Sequence, residues 1–311
     1  MRIGIYTDSR GYPNVPLMKI SAYHKAQGDE VEWLNHLQHY DRVYCSKVFS
    51  FTPDADADCM IYADEIVRGG TGYHICLADG REEWIGEDQP LPPEIEDLCP
   101  DYSLYPDYKN AIGFLTRGCP RNCGFCVVSK KEGRCSRQVA DLEQWYRGQR
   151  EITLLDPNLF ACRDNERLLE DLIDSKAWVD FSQGLDIRLV SGDNIGLINR
   201  VKTKRLHFAW DDAKTDLTSA FAYYAAQGAI QDTRKRAVYV LTNYDSTMEE
   251  NLYRIYTLRD IGGYRKGFDP YVMIYDKAHA PREVRLLQRW CNNKRIFKTI
   301  DRFEDYDPRR G

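Results

Sequence analysis

The sequence predicts an α/β chain: a partial (βα)6 barrel preceded by a small doubly wound α/β domain. Three observations lead there. From residue 111 onward, short apolar runs alternate with helical stretches at roughly 25–35-residue intervals. The first eighty or so residues carry their own strand–helix–strand pattern. Between the two lies a stretch holding Pro90, Pro92, Pro93, Pro100 and Pro106, with no helical or strand period, which reads as a linker. The expected division is 1–105 for the front domain with its linker, 106–290 for the barrel and 291–311 for a C-terminal tail.

The front domain opens on a strand, RIGIY. A helix follows, with Asn14 as its cap ahead of VPLMKISAYHKAQG and Gly28 at its end. EVEWL and RVYCSKVFS then read as strands. The last apolar run, EIVRGGTGY, ends in glycines that read as a tight turn. His24 falls four residues after Ile20 and seven after Leu17, on one helical face, and reads as a packed core histidine.

In the barrel the expected strands are AIGFLT, ITLLD, VDFSQGLDI, RLHFAW, AVYVLTN and YVMIY. Each is a short apolar run of the kind buried on both faces of a parallel sheet. The helices between them are QVADLEQWYRG, ERLLEDLIDSK, DNIGLINRV, LTSAFAYYAAQG and TMEENLYRIYTLRDIGG, with PREVRLLQRW after the sixth strand and Pro281 in its first turn. Six units are too few to close an eight-stranded barrel, so the expected barrel is open. The tail, CNNKRIFKTIDRFEDYDPRRG, is long enough for one more element against it.

The composition, 43% hydrophobic and 29% charged over 311 residues, is ordinary for a globular chain with a full core. No run of 18 apolar residues occurs, which excludes a helical membrane span by this criterion. The start MRIGIYTDS lacks the regions of a signal peptide, and ten cysteines in such a chain point to free thiols or clusters in a reducing, cytoplasmic setting. The net charge of −5 is unevenly spread. Residues 51–100 carry 13 Asp and Glu against Arg68 and Arg81 alone. Arg117, Arg121, Lys130, Lys131, Arg134 and Arg137 are opposed between them only by Glu132. A polyanionic partner would meet that basic side, and nucleic acid is a possible partner the sequence does not indicate.

Within that basic segment Cys119, Cys123 and Cys126 are spaced C-x3-C-x2-C. Three thiolates on one tight loop leave a structural zinc site one ligand short, with Cys135 the only nearby candidate for a fourth. They suit a four-iron cluster in which one iron keeps an open position. Pro120 stiffens the loop and Gly124 lets the backbone fold close to a ligand. A structural metal knuckle docking RNA or an acidic protein is the alternative reading.

The motif follows a first buried strand and has an aromatic, Phe125, before its last cysteine. In this it resembles the radical S-adenosylmethionine (radical SAM) superfamily. The resemblance covers about 108–290 and implies a 4Fe–4S cluster on Cys119, Cys123 and Cys126, with S-adenosyl-L-methionine chelating the open iron. It further implies reductive cleavage to a 5′-deoxyadenosyl radical that abstracts hydrogen from a substrate. A flavodoxin- or ferredoxin-like electron donor follows from it too. The substrate is not encoded in any spacing.

Functional side chains of parallel barrels stand at the carboxyl ends of strands. The resemblance then assigns Phe125 to the adenine, largely through its backbone, and Asp156 and Asn158 to the methionine amino group, where the family's Gly-Gly-Glu is missing. After strand three come Gln183, Asp186 and Arg188, polar groups that would be costly if buried unpaired. Asp211 after strand four is a candidate for ribose and Asn243 after strand five for adenosine. Asp212 reads equally as a helix cap, and Tyr275 and Asp276 after strand six are weaker candidates.

The front domain resembles a shortened cobalamin-binding domain through PNVPLMKISAYHKAQGDEVEWL and GGTG. The D-x-H-x-x-G motif that supplies the cobalt ligand is absent, so no cobalamin is expected. Cys45, Cys76 and Cys291 read as small buried hydrophobes, while Cys59, Cys99, Cys135 and Cys162 lack pairwise metal spacing. One cluster is expected.

Overall fold

The computed structural model describes residues 1–55, 60–78, 81–86 and 90–309. The front unit is a four-stranded, all-parallel sheet. Its strands are β1 (Arg2–Thr7), β2 (Glu30–Trp33), β3 (Tyr40–Ser46) and β4 (Ala63–Gly69), in the order β2-β1-β3-β4. Helix α1 (Val15–Ala26) begins where Asn14 accepts from the Leu17 amide, with Pro16 in the first turn. Among the described residues α1 is the one helix in this sheet's crossovers. The sheet is parallel as expected, but loops make the other connections. His24 is buried, its ring nitrogens on Asp29 at 2.7 Å and Tyr44 at 3.0 Å. The glycines after β4 form a tight turn: a Cβ on Gly70, at φ +98°, would lie 2.5 Å from the Lys47 carbonyl oxygen. A hairpin follows, β5 (Ile75–Ala78) with β6 (Arg81–Trp84).

The proline-rich stretch is no loose tether. It contains the one-turn helix α2 (Pro93–Glu96), and Ile95, Leu104 and Tyr105 are buried in one cluster with Ile5, Leu17 and Met18. Ile112 of the second sheet belongs to the same cluster. Asp101 accepts from Ser21 and Lys25, and the Tyr102 hydroxyl donates to the Trp145 carbonyl. Proline removes amide donors and regular hydrogen-bonded period, but apolar side chains can still pack.

The second sheet has six parallel strands in chain order: β7 (Ala111–Gly113), β10 (Glu151–Leu154), β11 (Trp178–Leu185), β12 (Thr203–Ala209), β13 (Arg236–Thr242) and β14 (Asp269–Ile274). Two-residue strands β8 (Thr116–Arg117) and β9 (Arg137–Gln138) pair antiparallel at the mouth of the cysteine loop, which also carries the short helix α3 (Val128–Lys131). The connecting helices are α4 (Leu142–Trp145), α5 (Asn165–Asp174), α6 (Gly192–Arg200), α7 (Thr218–Gln227) and α8 (Met248–Asp260), with α9 (Arg282–Asn292) after β14.

Alternation along the strands divides the sheet's faces. Ile152, Leu154, Val179, Phe181, Leu206, Phe208, Val238, Val240 and Val272 join the main core with the helices. Thr153, Asp180, Arg205, His207, Tyr239 and Tyr271 alternate with them and populate the other face. No pairing joins β7 to β14 among the described residues, so the sheet is open.

One expectation needs correction. The first barrel helix shrinks to the single turn α4: Asp141 and Gln144 form a capping box, but Tyr146 is already extended. Trp145 is held against Gly113, where a Cβ would lie 2.6 Å from the indole. The tail supplies the one further element expected of it. Helix α10 (Lys294–Thr299) puts Ile296 and Phe297 into the main core, and the Trp290 indole donates to the Ile300 carbonyl at 3.0 Å.

Candidate metal centre

The cysteine loop leaves the carboxyl end of β7 and is held from below by the end of β10. Asp156 is buried and accepts from the amides of Leu115 and Thr116 at 2.8 and 2.7 Å, and from the Thr116 hydroxyl at 2.6 Å. Glu132 closes the loop from above, accepting from the Gly118 amide at 3.1 Å and from Arg117 at 3.4 Å. Gly118 sits at φ +87°, where a Cβ would lie 2.2 Å from the Cys135 carbonyl oxygen. The Cys126 amide donates to the Cys123 carbonyl at 3.1 Å, making the tight turn that brings those two thiols together.

Burial first, and then the neighbouring Cys126 and Cys119, push the Cys123 thiol up to about 11; burial also raises Cys126. Within the basic segment Arg117 faces Glu132, and Arg121 faces Asp186. A metal bound by thiols displaces their protons, so buried thiols are compatible with a cationic guest.

Asn158 adds a second observation on fit. It is only 3% exposed, its amide nitrogen donates to Cys119 Sγ at 3.5 Å, and its Oδ1 has no hydrogen-bond partner. A buried orphan acceptor beside a cysteine sulfur suits an incoming N–H donor. No three His, Cys, Asp or Glu side chains among the described residues are grouped to hold one metal ion. Thiols around a four-iron cube stand further apart than ligands of a single ion.

Beside the loop lies a cavity of about 330 Å³, lined by Arg121, Cys123, Phe125, Asp211, Tyr244 and Asp245 among others. The Phe125 ring meets Tyr244 edge-on at 5.4 Å, and Tyr244 meets Tyr275 at 4.9 Å. Asp211 accepts from the Leu241 amide at 3.1 Å, and burial raises its carboxyl to about 6. Behind it Arg254, 1% exposed, donates to the carbonyls of Trp210, Asp211 and Leu241 and to Asn251 Oδ1. Burial lowers this guanidinium to about 10.

The remaining candidates divide. Asp186 receives Arg121 at 2.7 Å and Arg188 at 2.6 Å, linking the loop to the end of β11. Burial pushes its carboxyl up, but the bonds from Arg188 and Arg121 outweigh that and hold it below the ordinary value. Gln183 is exposed, so the burial cost imagined for it does not arise. Asn243 has φ +60° and donates to the Asp276 carbonyl at 3.1 Å. Asp212 is not a helix cap: it accepts from the Lys214 amide and the Thr215 hydroxyl in a local turn, and α7 begins only at Thr218. Asp156 has both oxygens engaged by the loop it supports.

Sequence reasoning missed Tyr244, Arg254 and the loop-closing role of Glu132. For Tyr244 a signal exists in its place between two non-glycine residues that turn out left-handed, Asn243 and Asp245. Nothing in the sequence marks Arg254, an arginine inside an ordinary helix. Among the other cysteines, Cys45, Cys162 and Cys291 are buried and Cys76 only partly so, while Cys135 is exposed. Cys59 lies outside the described residues.

No protein-family model and no curated protein sequence matches the chain. Two solved structures of TsrM, a radical S-adenosylmethionine methyltransferase from Kitasatospora setae, do match. One has cobalamin and a [4Fe-4S] cluster bound, the other tryptophan substrate and the analogue aza-SAM. Each has a TM-score of 0.43 and 13% identity over 88% of this chain, and 69% and 67% of theirs. A likeness at that level carries no argument about this chain. No helix among the described residues is long and apolar enough to cross a membrane.

Proposed function

We propose that the chain is a radical SAM enzyme built on a partial (βα)6 barrel, with Cys119, Cys123 and Cys126 holding a 4Fe–4S cluster. The observation that carries this reading is the cysteine loop at the carboxyl end of the first of six sequential parallel strands, beside a cavity with polar walls. When bound, the cluster supplies the electron that cleaves S-adenosylmethionine to a 5′-deoxyadenosyl radical for hydrogen abstraction.

The chain's own residues divide the remaining work. Asn158 donates to a ligand sulfur and offers its free Oδ1 to the methionine amino group. Asp211, positioned by Arg254 and the Leu241 amide, accepts from hydroxyls of the ribose. The edge-on pair Phe125–Tyr244 walls the adenosine. Arg121 lines the cavity and, with Arg188, is held by Asp186, giving guanidinium charge suited to the methionine carboxylate. A flavodoxin- or ferredoxin-like donor and a cytoplasmic setting belong to the same reading.

Anaerobic reconstitution tests it: about four irons and four sulfides per chain, with a reduced-cluster EPR signal that changes on adding S-adenosylmethionine. A colourless protein retaining zinc, or an EPR signal indifferent to the nucleotide, contradicts it.

A further inference from the structure

Below the rim of the six-stranded sheet, the face turned away from the helices carries ionisable and aromatic groups in place of a filled apolar interior. On β12 His207 is 7% exposed, and its Nδ1 lies 3.0 Å from the Phe181 carbonyl oxygen. A carbonyl oxygen only accepts, so Nδ1 carries the proton. Nε2 has no hydrogen-bond partner among the described residues and is the ring nitrogen left for a ligand. Asp180 Oδ1 lies 3.6 Å from Nδ1, beyond hydrogen-bond reach, and is itself buried without a partner. Its register neighbour Arg205 has an equally orphaned Nε. Native proteins leave few such atoms buried, and here two stand on one patch.

Aromatic rings surround this patch. His207 stacks on Tyr239 with centroids 5.3 Å apart and planes 8° from parallel, and Tyr239 meets Tyr271 edge-on at 6.1 Å. Two more rings come from outside the barrel. Tyr108, in the strap before β7, donates its hydroxyl to Thr153 of β10 at 2.8 Å. Tyr12, in the β1–α1 loop of the front unit, packs edge-on against Tyr108 at 6.3 Å.

Tyr12 keeps 47% of its surface exposed, and its phenol lies near enough to Asp180 and Tyr239 to interact with them electrostatically. Burial raises the Asp180 carboxyl and lowers His207, so the imidazole rests neutral, with a lone pair on Nε2. The front unit touches the open sheet at both ends. Lys131 of the cysteine loop donates to Thr71 at 2.9 Å, and the Glu82 amide donates to Tyr275 beyond β14 at 2.9 Å.

We propose that Tyr12 and Tyr108 join Asp180, His207 and Tyr239 in one composite site that takes a flat aromatic group bearing an O–H or N–H donor, with His207 Nε2 as its acceptor. The front unit then supplies one wall of a ligand chamber. Four residues separate His207 from Asp211, about 13 Å along an extended strand, so the site lies beneath the candidate cofactor pocket. Its identity as the substrate subsite rests on the radical reading; its capacity to bind such a ring does not.

Phenol and its methyl ether anisole are the probes, rings of similar size that differ in the donor. Binding to the full chain is followed by ligand-observed NMR, both without cluster and after anaerobic reconstitution. Phenol should bind saturably in the millimolar range expected of so small a ligand, and at least about tenfold tighter than anisole. His207→Phe retains a ring on Tyr239 but has no Nε2, and should erase the preference. Tyr12→Ala should weaken both probes about fivefold or more, since a stacking wall serves either ring.

Thermal unfolding checks that each variant is folded, and His207→Leu, which likewise lacks an acceptor, replaces His207→Phe if the latter is not. Equal binding of the two probes, no saturable phenol binding, a preference that survives loss of the imidazole, or an indifferent Tyr12→Ala would each overturn the site. Phenol binding as described, in a protein that never cleaves S-adenosylmethionine, overturns the radical reading alone. Cleavage without the phenol preference overturns only the composite site.

Discussion

The side-chain amide of Asn158 donates to the sulfur of Cys119 across 3.5 Å, tying the end of β10 to the first cysteine of the loop. A donor on a ligand sulfur stabilises the more negative, reduced state of a cluster. Asn158→Leu should therefore lower the midpoint potential. A net hydrogen bond of about 0.5–1.5 kcal/mol corresponds to about 20–65 mV for one electron, an upper bound because the bond exists in both redox states. An EPR-monitored redox titration measures it, and an unchanged or higher potential contradicts the assignment.

Gly124 and Tyr244 make a testable pair. A Cβ on Gly124 would lie 2.4 Å from the Tyr244 hydroxyl oxygen but 3.7 Å from the ring carbon bearing it. Gly124→Ala should cost about 1–3 kcal/mol by overpacking, and Tyr244→Phe in the same chain should restore most of that. Urea unfolding of the two single variants and the double variant decides it. Strictly additive effects would mean the clash is relieved some other way.

Asp156 predicts a pH dependence. Burial raises its carboxyl from 3.8 unfolded to about 7 in the fold, against the three donors it meets. Between those values the native chain holds a proton that the unfolded chain has lost. Stability from this group therefore falls as pH rises through the window and is level above it. The Thr116 hydroxyl, at 2.6 Å, can accept from the neutral acid. Asp156→Asn removes the slope, so wild type should lose ground to the variant as pH rises from about 4 to about 7. Parallel stability curves for the two proteins would contradict this.

Arg254 should matter for stability more than its place on a helix suggests. Arg254→Met leaves the carbonyls of Trp210, Asp211 and Leu241 without their donor, at a cost of about 3–5 kcal/mol. Hydrogen exchange at the Leu241 amide, which Asp211 holds, should also accelerate. A variant within half a kcal/mol of wild type would show that water or another side chain takes over.

The six strands were legible because each packs a row of apolar side chains against the helices. The polar and aromatic residues alternating with them belong to the other face, so the strands are not buried on both faces, contrary to expectation. The cysteine loop was legible because its three cysteines are local in sequence. What the sequence hid depends on contacts between distant segments. Asp156 reads as a ligand-binding carboxylate until Leu115 and Thr116 are seen to occupy it. Tyr12 reads as an ordinary loop residue until the fold brings it beside Tyr108. The prolines between 90 and 106 hid a packed strap, since Ile95, Leu104 and Tyr105 are too far apart to give a period. Gln183 failed for a different reason: its strand position is exposed, so its polarity needs no partner.

The most direct measurement is 5′-deoxyadenosine release from S-adenosylmethionine by reconstituted, dithionite-reduced protein, comparing wild type with Cys123→Ser. Wild type should release the nucleoside. The variant should keep its far-ultraviolet circular dichroism, lose the visible absorption of the cluster, and release none. No release by fully loaded wild type, or equal release by the variant, would contradict the account.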